Sequence, residues 1–452
     1  MTNCLVDYYN VPERFVRMAQ KGELPKGSGY FRLGSEICYG QCASLSSANT
    51  SSQPLADALP IATSEAGITC LPFDLAQIAD NLRNERYVRN SICDSPLAAA
   101  YYIARPLLPV AIRKRIQRIR LSGWDKMTFP HWPVDLTVDN LFDQSMLMAL
   151  RSNALDRIPF IWFWPDGASS CAIMTHDVET TEGREFCSRL MDIDDRFGIK
   201  ASFQVVPERR YEVPRSYLCD IRDRGFEVNV QDLNHDGRLY RDREQFLRRA
   251  AKINEYGREW EARGFRAAVL YRRQEWYESL DFSYDMSVPN VAHLDPQHGG
   301  CCTVMPYFVG DMVELPVTAI QDYSLFHILN DYSIDVWKRQ IDIIMKRHGL
   351  ISFIVHPDYI TTPRPGQTYE SLLAYLAQLR GEKNIWMPLP GAVDRWWRQR
   401  AQMRLVSDGD HWRIEGSGKE RARIAYASQE NGRLVLNLKE TSNVGDRSTV
   451  PS

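Results

Sequence analysis

The sequence lacks any long hydrophobic run. No stretch of about 18 apolar residues occurs, so no part of it predicts a membrane-spanning helix. Its first residues, MTNCLVDYYNVPERFVRMAQ, also lack the basic-then-apolar order of a secretory signal. Together these two absences predict a cytoplasmic protein.

An excess of one charge is also lacking. Lys and Arg number 55 against 57 Asp and Glu, which gives a formal net charge of -2. A chain so balanced has no overall attraction for phosphate backbones, so no nucleic-acid partner is expected and any basic surface must be local.

Paired cysteine motifs are missing as well. None of the ten cysteines forms a CxxC pair, and neither the Cys38/Cys42 spacing nor the adjacent Cys301 and Cys302 matches a metal or redox site. In a chain of this size without an export signal, we expect reduced and mostly buried thiols.

The residues that are present predict a large protein with an α/β centre. With 452 residues, 44% of them hydrophobic, two or three domains are expected. The first 165 or so residues show little regular alternation, which predicts an irregular N-terminal region. After Trp397, short runs such as RIAYA and RLVLNL predict a small β appendage, followed by a frayed tail.

Between these ends the chain alternates strands with helices. Helical periodicity separates several of the predicted strands, and this order is typical of a mostly parallel sheet or barrel whose site lies at the strands' C-terminal ends. The predicted strands are Ala172–Thr175, Ala201–Val206, Phe226–Val230, Phe265–Leu270, Phe282–Val288 and Leu350–Val355. The predicted helices are Arg184–Arg196, Arg243–Arg263, Asp335–Arg347 and Tyr369–Leu379.

Charged residues follow the first of these strands. Cys171–Thr180, CAIMTHDVET, passes from small and apolar residues into His, Asp and Glu. Charged groups are rarely buried unless paired or bound to a cation, so Asp177 and Glu179 indicate a site. The alternative is that both acids cap the following helix, which has Glu182 and Glu185 in its first turn.

Four later stretches bring polar residues to or near strand ends. They are EVNVQDLNHDGR with His235, GFRAAVLYRRQEW with Arg266, VELPVTAIQD with Glu314 and Asp322, and SFIVHPDY with His356. Taken singly, His235 fits a turn and His356 fits a buried structural histidine, while Glu314 and Asp322 fit structural roles better than functional ones. Only the order of all these residues along the chain, each at or near a strand end, indicates a catalytic site.

In this order the stretches resemble the polysaccharide deacetylase family, the NodB-homology or carbohydrate esterase family 4 domain. The resemblance implies a distorted (β/α) barrel that removes N-acetyl or O-acetyl groups from sugars with one divalent metal. It divides the chain into an N-terminal region of unknown role (1–168), a deacetylase-like domain (169–402) and a small β appendage with a flexible tail (403–452).

The resemblance also implies roles for individual residues. Asp177 matches the catalytic base and Glu179 the metal-ligating acid. His235 matches one imidazole ligand, Arg266 the arginine that steadies the base, and His356 the general acid.

Gln231 is where the sequence departs from this pattern. The family's second motif is HxxxH, and here it is QDLNH, with Gln231 in place of the first histidine. Zn²⁺ is the expected ion, with Co²⁺, Ni²⁺ or Mn²⁺ as alternatives, but an amide oxygen is a poorer donor to such metals than imidazole. Binding is therefore expected to be weak or absent, unless Asp232 substitutes. The first hypothesis is a working deacetylase, and the alternative is an inactive carbohydrate-binding or structural protein with the same fold.

The substrate is less defined. Trp276 and Tyr277 are candidates for stacking on a sugar ring, with core packing as the alternative. Because no export signal is present, an acetylated intermediate of surface-polysaccharide assembly, nucleotide-linked or lipid-linked, is expected rather than mature cell wall.

A basic segment lies outside all of these motifs. In Arg105–Leu121, RPLLPVAIRKRIQRIRL, Ile112, Ile116 and Ile119 recur at helical spacing, and the charge comes from Arg113, Lys114, Arg115, Arg118 and Arg120. Such a helix is suited to peripheral contact with an anionic membrane. The alternative is a helix that packs its isoleucines on the deacetylase-like domain.

Overall fold

The computed structural model describes residues 3–88, 110–408 and 411–438. The described helices are α1 (Cys4–Tyr9), α2 (Leu75–Arg83), α3 (Val110–Arg120), α4 (Thr137–Ser152), α5 (Thr181–Arg196), α6 (Arg215–Asp223), α7 (Arg243–Glu259), α8 (Asp335–Met345), α9 (Pro363–Lys383) and α10 (Pro390–Gln402).

The strands fall into one large sheet and several small ones. Five strands precede the large sheet: β1 (Met18–Gln20), β2 (Gly29–Leu33), β3 (Glu36–Gly40), β4 (Thr63–Glu65) and β5 (Ile68–Leu71). They are followed by β6 (Arg157–Ile161), β7 (Ser170–Val178), β8 (Ala201–Val205), β9 (Glu227–Gln231), β10 (Gly264–Arg266), β11 (Tyr284–Asp285), β12 (Tyr307–Val309) and β13 (Met312–Glu314). The last are β14 (Leu350–Val355), β15 (Ile385–Trp386), β16 (Arg404–Asp408), β17 (His411–Glu415), β18 (Ile424–Glu430) and β19 (Arg433–Leu438).

The large sheet is a curled, almost wholly parallel sheet. Its order is β12-β13-β11-β10-β9-β8-β7-β14, with β15 also pairing β7 and only β12 antiparallel to its neighbour. An extended segment, 317–320, spans the gap between its ends: Val317 N–H donates to Val288 O, and Ala319 N–H donates to Ser352 O. The expected distorted (β/α) barrel is therefore confirmed.

Burial on both faces explains the strand sequences. All nine residues of β7 are buried, as are all of β8 and β14, because helices cover the outside and side chains fill the inside of the barrel. In β7 the alternation places His176 on the opposite face from Asp177. His176 contacts Asp194 on α5 through Nε2 at 3.0 Å, so this histidine holds the helix to the sheet.

Most predicted elements are present, but two strands are shorter than predicted. The predicted strand Phe265–Leu270 ends at Arg266, because Val269 and Leu270 adopt left-handed backbone angles, with φ of 61° and 54°, that no strand can continue. The predicted strand Phe282–Val288 contributes only Tyr284–Asp285 to the sheet. Strands β12 and β13 were not predicted, since three-residue strands leave too short a pattern.

The N-terminal region is more regular than its sequence predicts. It contributes α1, α2 and α4, whose buried side chains share a hydrophobic core with the base of the barrel. The C-terminal strands join it, since β18 pairs antiparallel with β6. A buried ion pair also crosses to the barrel: Arg272 Nε donates to Glu85 Oε2 at 2.7 Å, while Glu85 Oε1 accepts from Gly300 N–H at 2.6 Å.

Two further expectations concern membrane spans and thiols. Within the described ranges, no helix combines the length and apolar character needed to cross a bilayer. The nine described cysteines are free thiols, seven of them buried, which confirms the expected state for these residues. Cys93 lies outside the described residues.

Candidate functional site

The strand register gathers the polar residues at one end of the barrel. Val355 lies opposite His176, which places His356 beside Asp177, and Arg266 lies opposite Gln231. The carboxyl ends of parallel strands meet at one edge, so these side chains converge at the C-terminal mouth. The helix-capping alternative for the two acids fails, because the N-cap of α5 is Thr180, whose hydroxyl accepts from Gly183 N–H at 3.0 Å.

Asp177 is a buried carboxylate held by an arginine. Arg266 Nη1 lies 3.3 Å from Asp177 Oδ1, and Arg266 Nη2 donates to Thr175 Oγ1 at 3.1 Å. Burial raises the pKa of Asp177, while the positive charges of Arg266 and His356 act to lower it. A carboxylate of raised pKa that still has a counter-charge is a stronger base than an exposed one.

His356 stands between two carboxylates. Its Nδ1 lies 2.7 Å from Asp322 Oδ1, and its Nε2 lies 3.4 Å from Glu179 Oε1. Asp322 also accepts from the backbone N–H of His356 at 2.7 Å. Burial would lower the pKa of His356, but Asp322 and Glu179 outweigh it and raise that pKa well above its ordinary value. Both carboxylates therefore favour the charged form of the ring, and Asp322 is its nearer partner.

Glu179 Oε1 has nitrogen neighbours on several sides. Gln231 Nε2 donates to it at 3.1 Å and to Asp177 Oδ2 at 3.1 Å, so the Gln231 amide bridges the two acids. His235 Nε2 lies 2.6 Å from the same oxygen. Burial would raise the pKa of Glu179, but His235 and His356 hold it well below its usual range.

Arg210 fixes the orientation of His235. Its Nη2 lies 2.9 Å from His235 Nδ1 and 2.9 Å from His235 O. A guanidinium only donates, so Nδ1 accepts in this contact and the ring hydrogen lies on Nε2, which faces Glu179. For His235 to ligate a metal through Nε2, this contact with Arg210 must first be given up.

The site contains donor atoms that a divalent metal can use. The ligand atoms of Asp177, Glu179 and His356 all lie within 4.8 Å of one another, and carboxylates with imidazole are ordinary ligands of Zn²⁺ and related ions. Gln231 Oε1 is buried and, among the described residues, accepts no hydrogen bond. If the amide group rotated by about 180°, its oxygen would face the two acids and could ligate a cation between them. The residues present therefore fit a divalent metal.

Unusual backbone surrounds the mouth. Asp232 and His235 have φ of 50° and 53°, and Val269 and Leu270 follow β10 with φ of 61° and 54°. Such angles are rare for residues other than glycine, and a β-branched residue such as Val269 meets the largest steric penalty. They turn the loops after β9 and β10 sharply at the rim of the site.

Two predicted residues take structural positions, and a third lies at the edge of the core. Tyr277 is buried and has no free ring face for a sugar, so core packing accounts for it. Trp276 is half-buried and packs against Phe246. Glu314 is buried beside Asp285 and accepts from Val288 N–H at 3.0 Å. Burial and the Asp285 charge raise the pKa of Glu314 well above its ordinary value.

Several residues of the site were missed by sequence reasoning. Thr175, Arg210 and Tyr359 contact Arg266, His235 and His356, the last through rings whose centroids lie 4.7 Å apart. Thr175 and Tyr359 lie inside the sequence stretches that contain Asp177 and His356, so their nearness to these residues could have identified them. Arg210 lies 25 residues before His235 and had none.

Comparisons with known proteins complete the description. No family model and no curated protein matches the chain. Solved structures match about half of it. A provisionally assigned polysaccharide deacetylase from Mycobacterium smegmatis has 19% identity and a TM-score of 0.43, over 53% of this chain and 93% of its own.

Two others cover a similar share. An allantoinase has 13% identity and a TM-score of 0.41, over 52% of this chain and 92% of its own. A family 4 acetyl xylan esterase from Clostridium thermocellum, in complex with a cobalt ion, has 15% identity and a TM-score of 0.32, over 50% and 91%. Two of these three structures are thus described as a polysaccharide deacetylase or a family 4 esterase, and the third as an allantoinase.

Proposed function

We propose that the chain hydrolyses an acetyl group from an N-acetylated or O-acetylated sugar. The observation that carries the proposal is the pair formed by Asp177 and His356 on the two sides of Glu179, each with its own buried counter-charge. Arg266 lies 3.3 Å from Asp177, and Asp322 lies 2.7 Å from His356. A base and an acid kept in opposite protonation states at one mouth are what acyl transfer to water requires.

Asp177 is the base in this proposal. Arg266 keeps the carboxylate ionised and oriented, and burial strengthens it as a proton acceptor. It takes the proton of the attacking water at Oδ1 or Oδ2. Thr175 supports this geometry, since its hydroxyl accepts from Arg266 and donates to Phe353 O at 2.6 Å.

His356 is the acid. Asp322 holds the ring and stabilises its charged form, which leaves the proton on Nε2 to be delivered to the departing amine or sugar oxygen. An amine or alkoxide is a poor leaving group unless it is protonated as the bond breaks. Removal of an N-acetyl group therefore depends on this proton.

A divalent metal, Zn²⁺ first, completes the proposal. Glu179, His235 and the amide oxygen of Gln231 are the residues that would hold it, which leaves Asp177 and His356 for proton transfer, and when bound it would supply a Lewis acid for the acetyl carbonyl and a water of lowered pKa. Glu179 is the carboxylate among these three residues, so we expect its loss to lower the metal affinity most.

The proposed substrate class rests on the family resemblance. An acetylated intermediate of surface-polysaccharide biosynthesis, in the cytoplasm, is the class we propose. The Gln231 bridge favours a second candidate, a carbohydrate-binding protein that keeps the fold and has lost hydrolysis, because an amide fills the space between the two acids.

A substrate screen separates the two candidates. Purified protein is incubated with chitooligosaccharides, acetylated nucleotide sugars and lipid-linked acetylated sugars, and acetate release is measured with and without added Zn²⁺. Release that requires the metal supports the first candidate. Saturable sugar binding with no acetate release, and with no metal in the purified protein, supports the second.

Replacing Gln231 by His should tighten Zn²⁺ binding. The substitution restores the family's HxxxH spacing and adds an imidazole near Glu179, so we expect affinity to rise about 10-fold or more. The gain should grow when Arg210 is also replaced by Met, because His235 Nδ1 is then released from its contact. Calorimetric titration with Zn²⁺ measures both effects.

Glu179→Gln in the Gln231→His background is the matched control. It keeps the size of the side chain and removes the shared ligand, so it should abolish the gain. Equal Zn²⁺ affinity in the original protein and in Gln231→His, with both folded, would contradict the idea that these residues converge on a metal.

A further inference from the structure

Helix α3 turns its isoleucines outward. Ile112, Ile116 and Ile119 are 46%, 38% and 65% exposed, so the isoleucines do not pack on the deacetylase-like domain as the alternative prediction held. At 100° per residue the three side chains form one stripe along the helix. The surface of a soluble monomeric protein rarely exposes three large apolar side chains in a row unless they bind a partner.

The opposite face attaches the helix to the rest of the protein. Arg118 Nε donates to His327 O at 2.7 Å, and Gln117 contacts the hydroxyl of Tyr323. At 100° per residue, Gln117 and Arg118 each lie about 130° from the middle of the isoleucine stripe, one on either side, so the face between them is opposite the stripe. The attachment therefore fixes the stripe toward solvent.

Positive charge borders the stripe. Arg115 and Arg120 are exposed and lie on its two sides, and the segment Val110–Arg120 contains no acidic residue. This clustering contrasts with a chain whose formal net charge is -2. The surface combines an apolar line with flanking cations, which suits the headgroup and acyl boundary of an anionic bilayer.

The helix lies beside the candidate site. Tyr323, which Gln117 contacts, packs against Tyr359 with ring centroids 5.6 Å apart, and Tyr359 packs against His356 at 4.7 Å. Tyr323 also follows Asp322, the partner of His356. A surface that docks through α3 therefore lies near the mouth that holds His356.

We propose that α3 docks the protein onto a bilayer containing anionic phospholipid. A second copy of the chain is a poorer occupant, because pairing two such helices would bring arginines of like charge together. Arg105–Pro109 and the side chains of Arg113 and Lys114, which belong to the same basic segment, lie outside the described residues. Docking would also bring a lipid-linked sugar to the mouth of the barrel. This consequence rests on the proposed function.

Flotation of the full chain with liposomes tests the docking. We expect binding to phosphatidylcholine vesicles that contain phosphatidylglycerol, none to phosphatidylcholine alone, and release as salt rises. Arg115→Gln and Arg120→Gln should each weaken partitioning about 5-fold, the factor that corresponds to one basic group at an anionic surface. Ile116→Ser with Ile119→Ser should weaken it further without altering the circular dichroism spectrum.

Two controls make the result specific. Leu247→Ser removes an equally exposed apolar side chain from α7, and Arg404→Gln removes an exposed cation from β16; neither should change flotation. Failure of the protein to float with anionic vesicles at low salt would overturn the proposal. So would dimers in sedimentation that dissociate when the isoleucines are replaced, since the stripe would then be a protein interface. Acetate release is measured separately, so this outcome is independent of the enzymatic proposal.

Discussion

Replacing Asp177 by Asn lowers acetate release about 10²- to 10⁴-fold while the protein stays folded. The amide keeps the shape of the side chain and a hydrogen-bonding oxygen for Arg266, but it cannot accept a proton from water. The change is measured as kcat on the acetylated substrate found in the screen, with thermal unfolding followed in parallel. The unfolding measurement is needed because the substitution leaves the buried Arg266 guanidinium without its nearest counter-charge.

Glu182→Gln is the matched control for this experiment. Glu182 is an exposed carboxylate in the first turn of α5, close to Asp177 along the chain, and its loss should leave kcat unchanged. Near-normal turnover by a folded Asp177→Asn protein would show that Asp177 is not the base.

Replacing His356 by Ala should separate substrates by their leaving group. We expect hydrolysis of an N-acetyl sugar to fall about 100-fold or more, because the amine must be protonated as it departs. An aryl acetate whose phenolate leaves without a proton should be affected far less. Comparing kcat on the two substrates with one protein preparation measures the difference. A loss of folded protein would lower both rates equally, so it cannot produce this difference.

Asp322 supplies the companion variant. Asp322→Asn removes the charge that stabilises the His356 imidazolium but retains an oxygen for the backbone N–H, so it should reproduce the same pattern with a smaller loss. Equal losses on both substrates would contradict the acid role of His356 and indicate that the residue acts through structure or metal binding.

The barrel was predictable from local patterns. Buried strands such as Leu350–Val355 are continuous apolar runs, and the helices between strands repeat apolar residues every three or four positions, so both classes of element carry their own signal. The short strands β12 and β13 carry none. The abrupt end of β10 at Arg266 depends on left-handed angles at Val269 and Leu270, which the residues themselves disfavour and only their packing imposes.

The site was predictable in part, for a similar reason. Asp177, Glu179, His235, Arg266 and His356 stand next to strand ends, and parallel strands bring such ends together, so residue order alone places them at one mouth. Which atoms meet there could not be deduced. The Gln231 bridge between two acids and the Arg210 contact that sets the hydrogen on His235 Nε2 depend on side-chain directions across four different segments.

The sequence by itself determined the alternation of strands and helices, the polar residues at their ends and the spacing of isoleucines in α3, because each is a property of neighbouring positions. Only the tertiary structure decided that Asp322 belongs with His356, that Tyr277 is buried in the core while Trp276 is half-buried at its edge, and that the isoleucine stripe faces solvent. These outcomes depend on contacts between distant parts of the chain. Periodicity shows which side chains share a face, but the direction in which that face points is set by what the opposite face binds, here His327 and Tyr323.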